Sequence, residues 1–237
     1  MAAAEAETLH RRLIEKLVAA GDLAEDWRNA FEAVPRHTFI PDVTWHYGTT
    51  NGEWGLIPRH RTDDSDAWLL AAYEDDSIIT QVDDGEPSGP DGIGVLPTSS
   101  ASMPTVVAVM LQALDIHDGQ KVLEIGTGTG YNAALLAHRL GARNVTSVEI
   151  DPTVTDAARH ALERAGYGET FLVTADGTQG FGPRAPYDRV LSTSLSCGST
   201  IACSPSVPGM IRDVNTPVVL APVARHRSSS CLACPSP

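Results

Sequence analysis

Apolar residues recur at helical spacing between Thr8 and Ala20, at Leu9, Leu13, Ile14, Leu17 and Val18, and Gly21 follows as a stop. This predicts an amphipathic helix. A second helix is expected over Ala24 to Val34, ending before Pro35, and Pro41, Gly48, Gly52, Gly55 and Pro58 then punctuate a stretch that reads as long and irregular. The run Ser77 to Val82 has strand composition, Asp83 to Pro97 reads as a loop, and Pro104 to Leu114 is apolar enough to be a helix against the core.

From Gln120 the pattern becomes regular. Lys121 to Ile125 is a short apolar strand, a glycine turn follows, and Tyr131 to Leu140 is an Ala- and Leu-rich helix. Val145 to Ile150, Thr170 to Thr174 and Tyr187 to Ser192 read as further strands, with a helix over Pro152 to Ala165 closed by Gly166. Alternating strands and helices predict an α/β fold with a doubly wound, mostly parallel sheet behind an N-terminal helical cap. After Thr193 the pattern is lost, and only Pro217 to Ala221 reads as a strand, so the C-terminal part of the sheet is expected to be incomplete. Three regions follow: a cap with an acidic loop over 1–97, a core over 98–193 and a low-complexity tail over 194–237.

Charge changes the picture next. The formal net charge is -13, which disfavours phosphate backbones as partners. Thr62 to Asp91 carries ten acidic residues and no Lys or Arg, which reads as a solvated, mobile loop more readily than as a docking surface for basic peptides. No apolar run reaches the ~20 residues of a membrane helix, and the acidic start is unlike a signal peptide, so a cytoplasmic protein without membrane contact is expected.

Candidate chemistry lies at the glycine turn. Gly126, Gly128 and Gly130 within Glu124-Ile125-Gly126-Thr127-Gly128-Thr129-Gly130 let backbone N–H groups approach a ligand at the positive end of the following helix. The spacing is G-x-G-x-G, with Tyr131 where the dinucleotide fingerprint needs its last glycine, which argues against a nicotinamide enzyme. Glu149, at the end of the next strand, is placed to accept hydrogen bonds from both hydroxyls of a ribose. Glu124 is expected to face an amino-acid part of the ligand, and Asp176, beside Gly177, an adenine amino group. Each acid alone suits a helix cap or a surface charge; together, at successive strand ends, they point to a cofactor site.

Val34-Pro35-Arg36-His37-Thr38-Phe39-Ile40-Pro41, Ser102-Met103-Pro104 and Gly119 to Tyr131, with Ala175-Asp176-Gly177 and Ala185-Pro186-Tyr187-Asp188, resemble the protein-L-isoaspartate O-methyltransferase family. The resemblance implies a Rossmann-like class I methyltransferase fold, S-adenosylmethionine as cofactor, and methyl transfer to an aspartyl or isoaspartyl carboxylate of a peptide or protein. Ser102 matches that family's active-site serine, with Ser99 and Ser100 close by. The same serines also suit a cap on the helix starting near Pro104. Trp68-Leu69-Leu70, Ala72-Tyr73-Glu74-Asp75, Leu96-Pro97-Thr98-Ser99-Ser100 and His117-Asp118-Gly119 are similar to relatives associated with graspetide and lanthipeptide biosynthesis, which methylate a dedicated ribosomal peptide.

Repair-type members continue past the fourth strand into a helix and a Pro-Gly-Gly turn. Here Pro208-Gly209-Met210 is a faint echo, and a truncated or frame-shifted member, binding cofactor or peptide without turnover, is the alternative expectation. Cys231-x-x-Cys234 suits half of a zinc site, but Cys197 and Cys203 are spaced outside the usual range. The eight histidines show no metal spacing, so no metal site is expected.

Overall fold

The computed structural model describes residues 2–50, 52–87, 89–193 and 218–220. Helix α1 (Ala2–Ala20) begins a full turn and a half before the point where its apolar stripe starts, and buries Leu13, Ile14 and Leu17. Helix α2 (Glu25–Ala33) buries Trp27, Ala30 and Phe31, and a 3₁₀ turn over Arg36–Phe39 follows.

The stretch expected to be irregular is a long antiparallel hairpin. Strand β1 (Val43–Thr50) pairs along its whole length with β2 (Glu53–His60), from Val43 with His60 to Thr50 with Glu53. The two-residue connection Asn51-Gly52 is a strong hairpin turn signal, and Gly52 takes φ +83°, which a side chain resists. The described residues of the acidic stretch also form regular elements. Asp64 caps helix α3 (Ser65–Tyr73) by accepting from Ala67 N at 2.9 Å, and that helix buries Trp68, Leu69, Ala72 and Tyr73 beneath its charged neighbours. Strand β3 (Ile78–Val82) is followed by short 3₁₀ turns and by β4 (Pro97–Ala101), giving a four-stranded sheet in the order β2-β1-β3-β4. The cap is therefore helices plus an antiparallel sheet.

Helix α4 (Pro104–Ala113) leads to the second sheet, built from β5 (Val122–Ile125), β6 (Val145–Glu149), β7 (Phe171–Thr174), β8 (Arg189–Ser192) and β9 (Val218–Leu220). All its pairings are parallel, in the order β7-β6-β5-β8-β9. The chain walks outward from β5 to β7 and then restarts at β8 on the other side of β5. That places the topological switch, where ligands of such sheets bind, at the carboxyl ends of β5 and β8. Strand β9 confirms the strand expected near 217–221; the other expectations for the tail, including its cysteines, lie outside the described residues.

Helices α5 (Tyr131–Leu140) and α6 (Pro152–Arg164) make the crossovers. Nearly all of α5 is buried, because it lies between the parallel sheet and the cap: Tyr131 meets Phe31 edge-on at 6.4 Å and Phe39 at 5.8 Å. This larger core joins the helices to the sheet, while a smaller one of Leu123, Ile125, Val148, Tyr187 and Val190 is packed by Phe181 and Ala185.

Candidate functional site

The turn from β5 into α5 is fixed from beneath. Gly126, Gly128 and Gly130 all take left-handed φ values, +93°, +53° and +85°, so L side chains there would be strained. Gly126 N donates to Val148 O at 2.8 Å and Gly130 N to Thr127 O at 3.0 Å. Gly130 also lets α6 approach, since an added Cβ would lie 3.3 Å from Ala158 Cβ. Thr127 and Gly130 are buried, whereas Gly126, Gly128 and Thr129 remain partly accessible and form the crest of the turn.

Glu124 is sealed under this crest, not exposed on it. It is 0% exposed, and its two oxygens accept from Asn132 Nδ2 at 2.6 Å and Ser147 Oγ at 2.5 Å. Ser147 Oγ lies 2.6 Å from Thr127 Oγ1, completing a buried polar chain from the turn to the sheet. Burial pushes the Glu124 carboxyl up to about 7, against the hydrogen bonds from Ser147 and Asn132 that favour its charged form. Sequence reasoning passed over Asn132 and Ser147; the signal was a polar residue inside an apolar strand and another in the first turn of an apolar helix.

At the neighbouring strand ends the acids stand where the spacing put them. Glu149 accepts from Gly128 N at 3.0 Å and Ile150 N at 2.9 Å and stays partly accessible. Ile150, next to it, is 70% exposed, an apolar surface that the sequence reading did not single out. Asp176 is exposed, and its bond from Thr178 N holds its carboxyl below the ordinary value. Gly177 is buried against Ile125, where a Cβ would come within 2.5 Å of Cγ2. Among the described residues no group of three or more His, Cys, Asp or Glu side chains is placed to hold a metal ion.

The serine segment comes to the glycine turn through β4. A Cβ on Gly128 would lie 3.6 Å from Ser100 O, so the edge of the antiparallel sheet borders the crest. The expected capping role of these serines is not found: Met103 is the N-cap of α4 and caps nothing with its side chain. Asp75 supplies the cap from a distance, accepting from Thr105 N at 2.9 Å and Thr105 Oγ1 at 2.7 Å. The half-buried Ser102 hydroxyl has no hydrogen-bond partner among the described residues, while Ser102 O accepts from Arg36 at 3.0 Å.

Arg36 organises this corner. Its guanidinium is 0% exposed and donates to the carbonyls of Ala72, Glu74, Asp76, Ala101 and Ser102 at 2.9 to 3.4 Å. One side chain thus fastens α3, the start of β3 and the end of β4. Gln81 on β3 makes a second tie, donating to Asp151 Oδ2 at 2.6 Å. A cavity of about 640 Å³ opens elsewhere, at the far end of α6 beside His37, Arg61 and Arg164, and contains none of these residues.

A parallel sheet with this switch point, a glycine turn into α5 and an acid closing β6 define a class I, S-adenosylmethionine-type methyltransferase fold. Residues 67–214 match the family model Protein-L-isoaspartate(D-aspartate) O-methyltransferase. Protein-L-isoaspartate O-methyltransferase 1 of Archaeoglobus fulgidus is 34% identical over 185 residues, covering 78% of this chain and 68% of the relative. Protein-L-isoaspartate O-methyltransferase of Thermococcus onnurineus is 34% identical over 189 residues, covering 79% of this chain and 68% of the relative. Among solved structures, a protein-L-isoaspartate O-methyltransferase superposes with a TM-score of 0.55 at 25% identity, covering 78% of this chain and 47% of that one. A structure described as a beta-aspartate methyltransferase from Plasmodium falciparum, in complex with S-adenosyl-L-homocysteine, has a TM-score of 0.52 at 15% identity, covering 78% and 73%, a likeness of fold alone. The chain belongs to the protein-L-isoaspartate O-methyltransferase family. It spans about two thirds of the length of these curated relatives and about half of the first structure.

Proposed function

We propose that this chain transfers a methyl group from S-adenosylmethionine to the side-chain carboxylate of an aspartyl or isoaspartyl residue in a peptide or protein. The observation that supports the reading is the nearness of Gly128 to Ser100, whose carbonyl oxygen would lie 3.6 Å from a Cβ on Gly128, so that the glycine turn and the serine segment are neighbours. The residues fit the cofactor: the crest is free of side chains at Gly126 and Gly128, and Asn132 Oδ1, buried in the first turn of α5, is an acceptor without a partner among the described residues.

In this reading the backbone of Gly126, Gly128 and Thr129 lies against the cofactor, Glu149 takes the ribose hydroxyls, Ile150 covers the purine and Asp176 meets its amino group. Glu124, Thr127, Gly130 and Gly177 hold the turn from beneath. When bound, S-adenosylmethionine supplies a methyl group activated by its sulfonium. A substrate carboxylate with a pKa near ~4 is already ionised at neutral pH, so the chain needs no general base. Its task is to hold one carboxylate oxygen in line with the methyl group and to strip it of water. Ser102 Oγ donates to the other oxygen, and Arg36 fixes the backbone that carries Ser102.

Calorimetric titration with S-adenosylhomocysteine, followed by mass spectrometry of treated peptides, tests the proposal. Saturable one-to-one binding and a gain of one methyl group on an isoaspartyl peptide are expected. A gain confined to an aspartyl residue in a cyclised ribosomal peptide would assign the chain to the peptide-modifying relatives it resembles. Binding without any transfer would mark it as a relative that holds cofactor without turnover.

A further inference from the structure

Large apolar side chains left together in water on a folded domain mark a contact surface. Trp54, Val95 and Leu96 are 72%, 74% and 61% exposed, and the backbone gathers them. Leu56 N and O exchange hydrogen bonds with Gly94 O and N, both at 2.8 Å, which lays the segment 93–96 along the outer edge of β2. The antiparallel sense of that bridge carries Trp54 and Leu96 toward the same end, and Tyr47 on β1 stacks against Trp54 with ring centres 6.4 Å apart.

The segment is clamped there. The Asp83 carboxylate accepts from Val95 N at 3.0 Å and from Leu96 N at 2.8 Å, and Asp83 N donates to Leu96 O at 2.9 Å. Asp83 adopts φ +48° to do so, an unfavourable conformation for a residue with a side chain. Gly94 is equally constrained, because a Cβ would fall 2.4 Å from Val82 Cγ2. Several polar bonds, one costly backbone conformation at Asp83 and the close packing of Gly94 on Val82 thus hold Val95 and Leu96 in solvent, where their side chains gain nothing for the fold.

The clamped segment runs directly into β4, and Ser100, four residues beyond Leu96, borders Gly128. At ~3.3 Å per residue that is about 13 Å, the reach of four residues of an extended peptide. β4 is also an edge strand with no strand on its outer side among the described residues, the arrangement that accepts extended peptides. Resting on the function proposed above, we propose that Trp54, Val95 and Leu96 form a subsite for an apolar side chain of the substrate, four to six residues from the methylated carboxylate. The acidic neighbours Asp84 and Glu86 suit a basic residue beside it.

The test uses fluorescein-labelled peptides of about twelve residues around one isoaspartate, with either leucine or glycine five positions to each side. Anisotropy is expected to show about tenfold tighter binding of the leucine peptide to the full chain. Replacing both Val95 and Leu96 with Ser, exposed positions whose backbone bonds survive, is expected to erase the preference while S-adenosylhomocysteine still binds. Equal affinities, binding of neither peptide, or a preference that survives in the double variant would overturn the subsite. Methylation of the same peptides reports separately: transfer without a leucine preference leaves the enzymatic reading standing and removes the subsite, and preferential binding without transfer does the reverse.

Discussion

Glu124 presents a carboxyl that water does not reach. The native state favours its protonated form up to about pH 7, whereas the unfolded chain releases that proton near 4.5. Between those values the folded chain binds more protons, so this group makes stability fall as pH rises, by roughly 3 kcal/mol once the window is crossed. Half-buried His10 and His37 act in the opposite sense, since partial burial lowers both and their contribution is lost as pH falls below about 6.5. The comparison that isolates Glu124 is therefore the difference between the native chain and Glu124→Gln, followed by urea unfolding from pH 5 to pH 8. The native chain is expected to lose stability relative to the variant across that range, and a constant difference would contradict it. At the crest, Gly128→Val is expected to abolish S-adenosylhomocysteine binding, because φ +53° excludes a β-branched residue and the backbone must stay open. Ser102→Ala is expected to retain that binding and lower kcat by ~10-fold or more, read from single-turnover methylation. The glycines, Glu149 and Asp176 were legible because spacing along the chain maps directly onto strand ends. Whether Glu124 faces outward or inward was not, since alternation within a strand of four residues leaves no room to distinguish a ligand from a buried support.

Among the elements, the junction of β4 and α4 depends on Arg36 more than on its own sequence. A methionine at that position would fill the space and leave five carbonyls without their donor, at a cost of roughly 3 kcal/mol or more. Urea unfolding of Arg36→Met is expected to show that loss. Arg36→Lys, which keeps a charge but not the planar fork, is expected to recover only part of the stability and to show lowered kcat with cofactor affinity retained. The strands and helices around the glycine turn were readable because β5, α5, β6 and α6 are short runs closed by Gly126, Gly141, Glu149 and Gly166. The hairpin of β1 and β2 was not, because Gly48, Gly55 and Pro58 resemble loop punctuation and its side chains are largely half-exposed, which erases the alternation a strand normally shows. Helix α3 was hidden by the charge around it, although Trp68, Leu69 and Ala72 carry the packing.

At the scale of the whole molecule, a net charge of -13 favours cationic over anionic peptides at long range. Raising sodium chloride from about 50 to about 500 mM is expected to increase KM for a lysine-bearing isoaspartyl peptide more than for its serine counterpart, because salt screens only the former's attraction. Equal changes for both would show that the field plays no part in substrate capture.

The bond between Gln81 and Asp151 has a further consequence. Gln81 belongs to the sheet that carries the serines, and Asp151 follows two residues after Glu149, whose carboxylate accepts from the Asp151 amide at 3.3 Å. The two ligands of the proposed reaction thus lean on opposite ends of one short strut. An arrival at either end is expected to stiffen the other, and thermodynamics makes any such effect mutual: the factor by which peptide tightens S-adenosylhomocysteine equals the factor by which S-adenosylhomocysteine tightens peptide. In Gln81→Leu, both factors are expected to shrink toward one together.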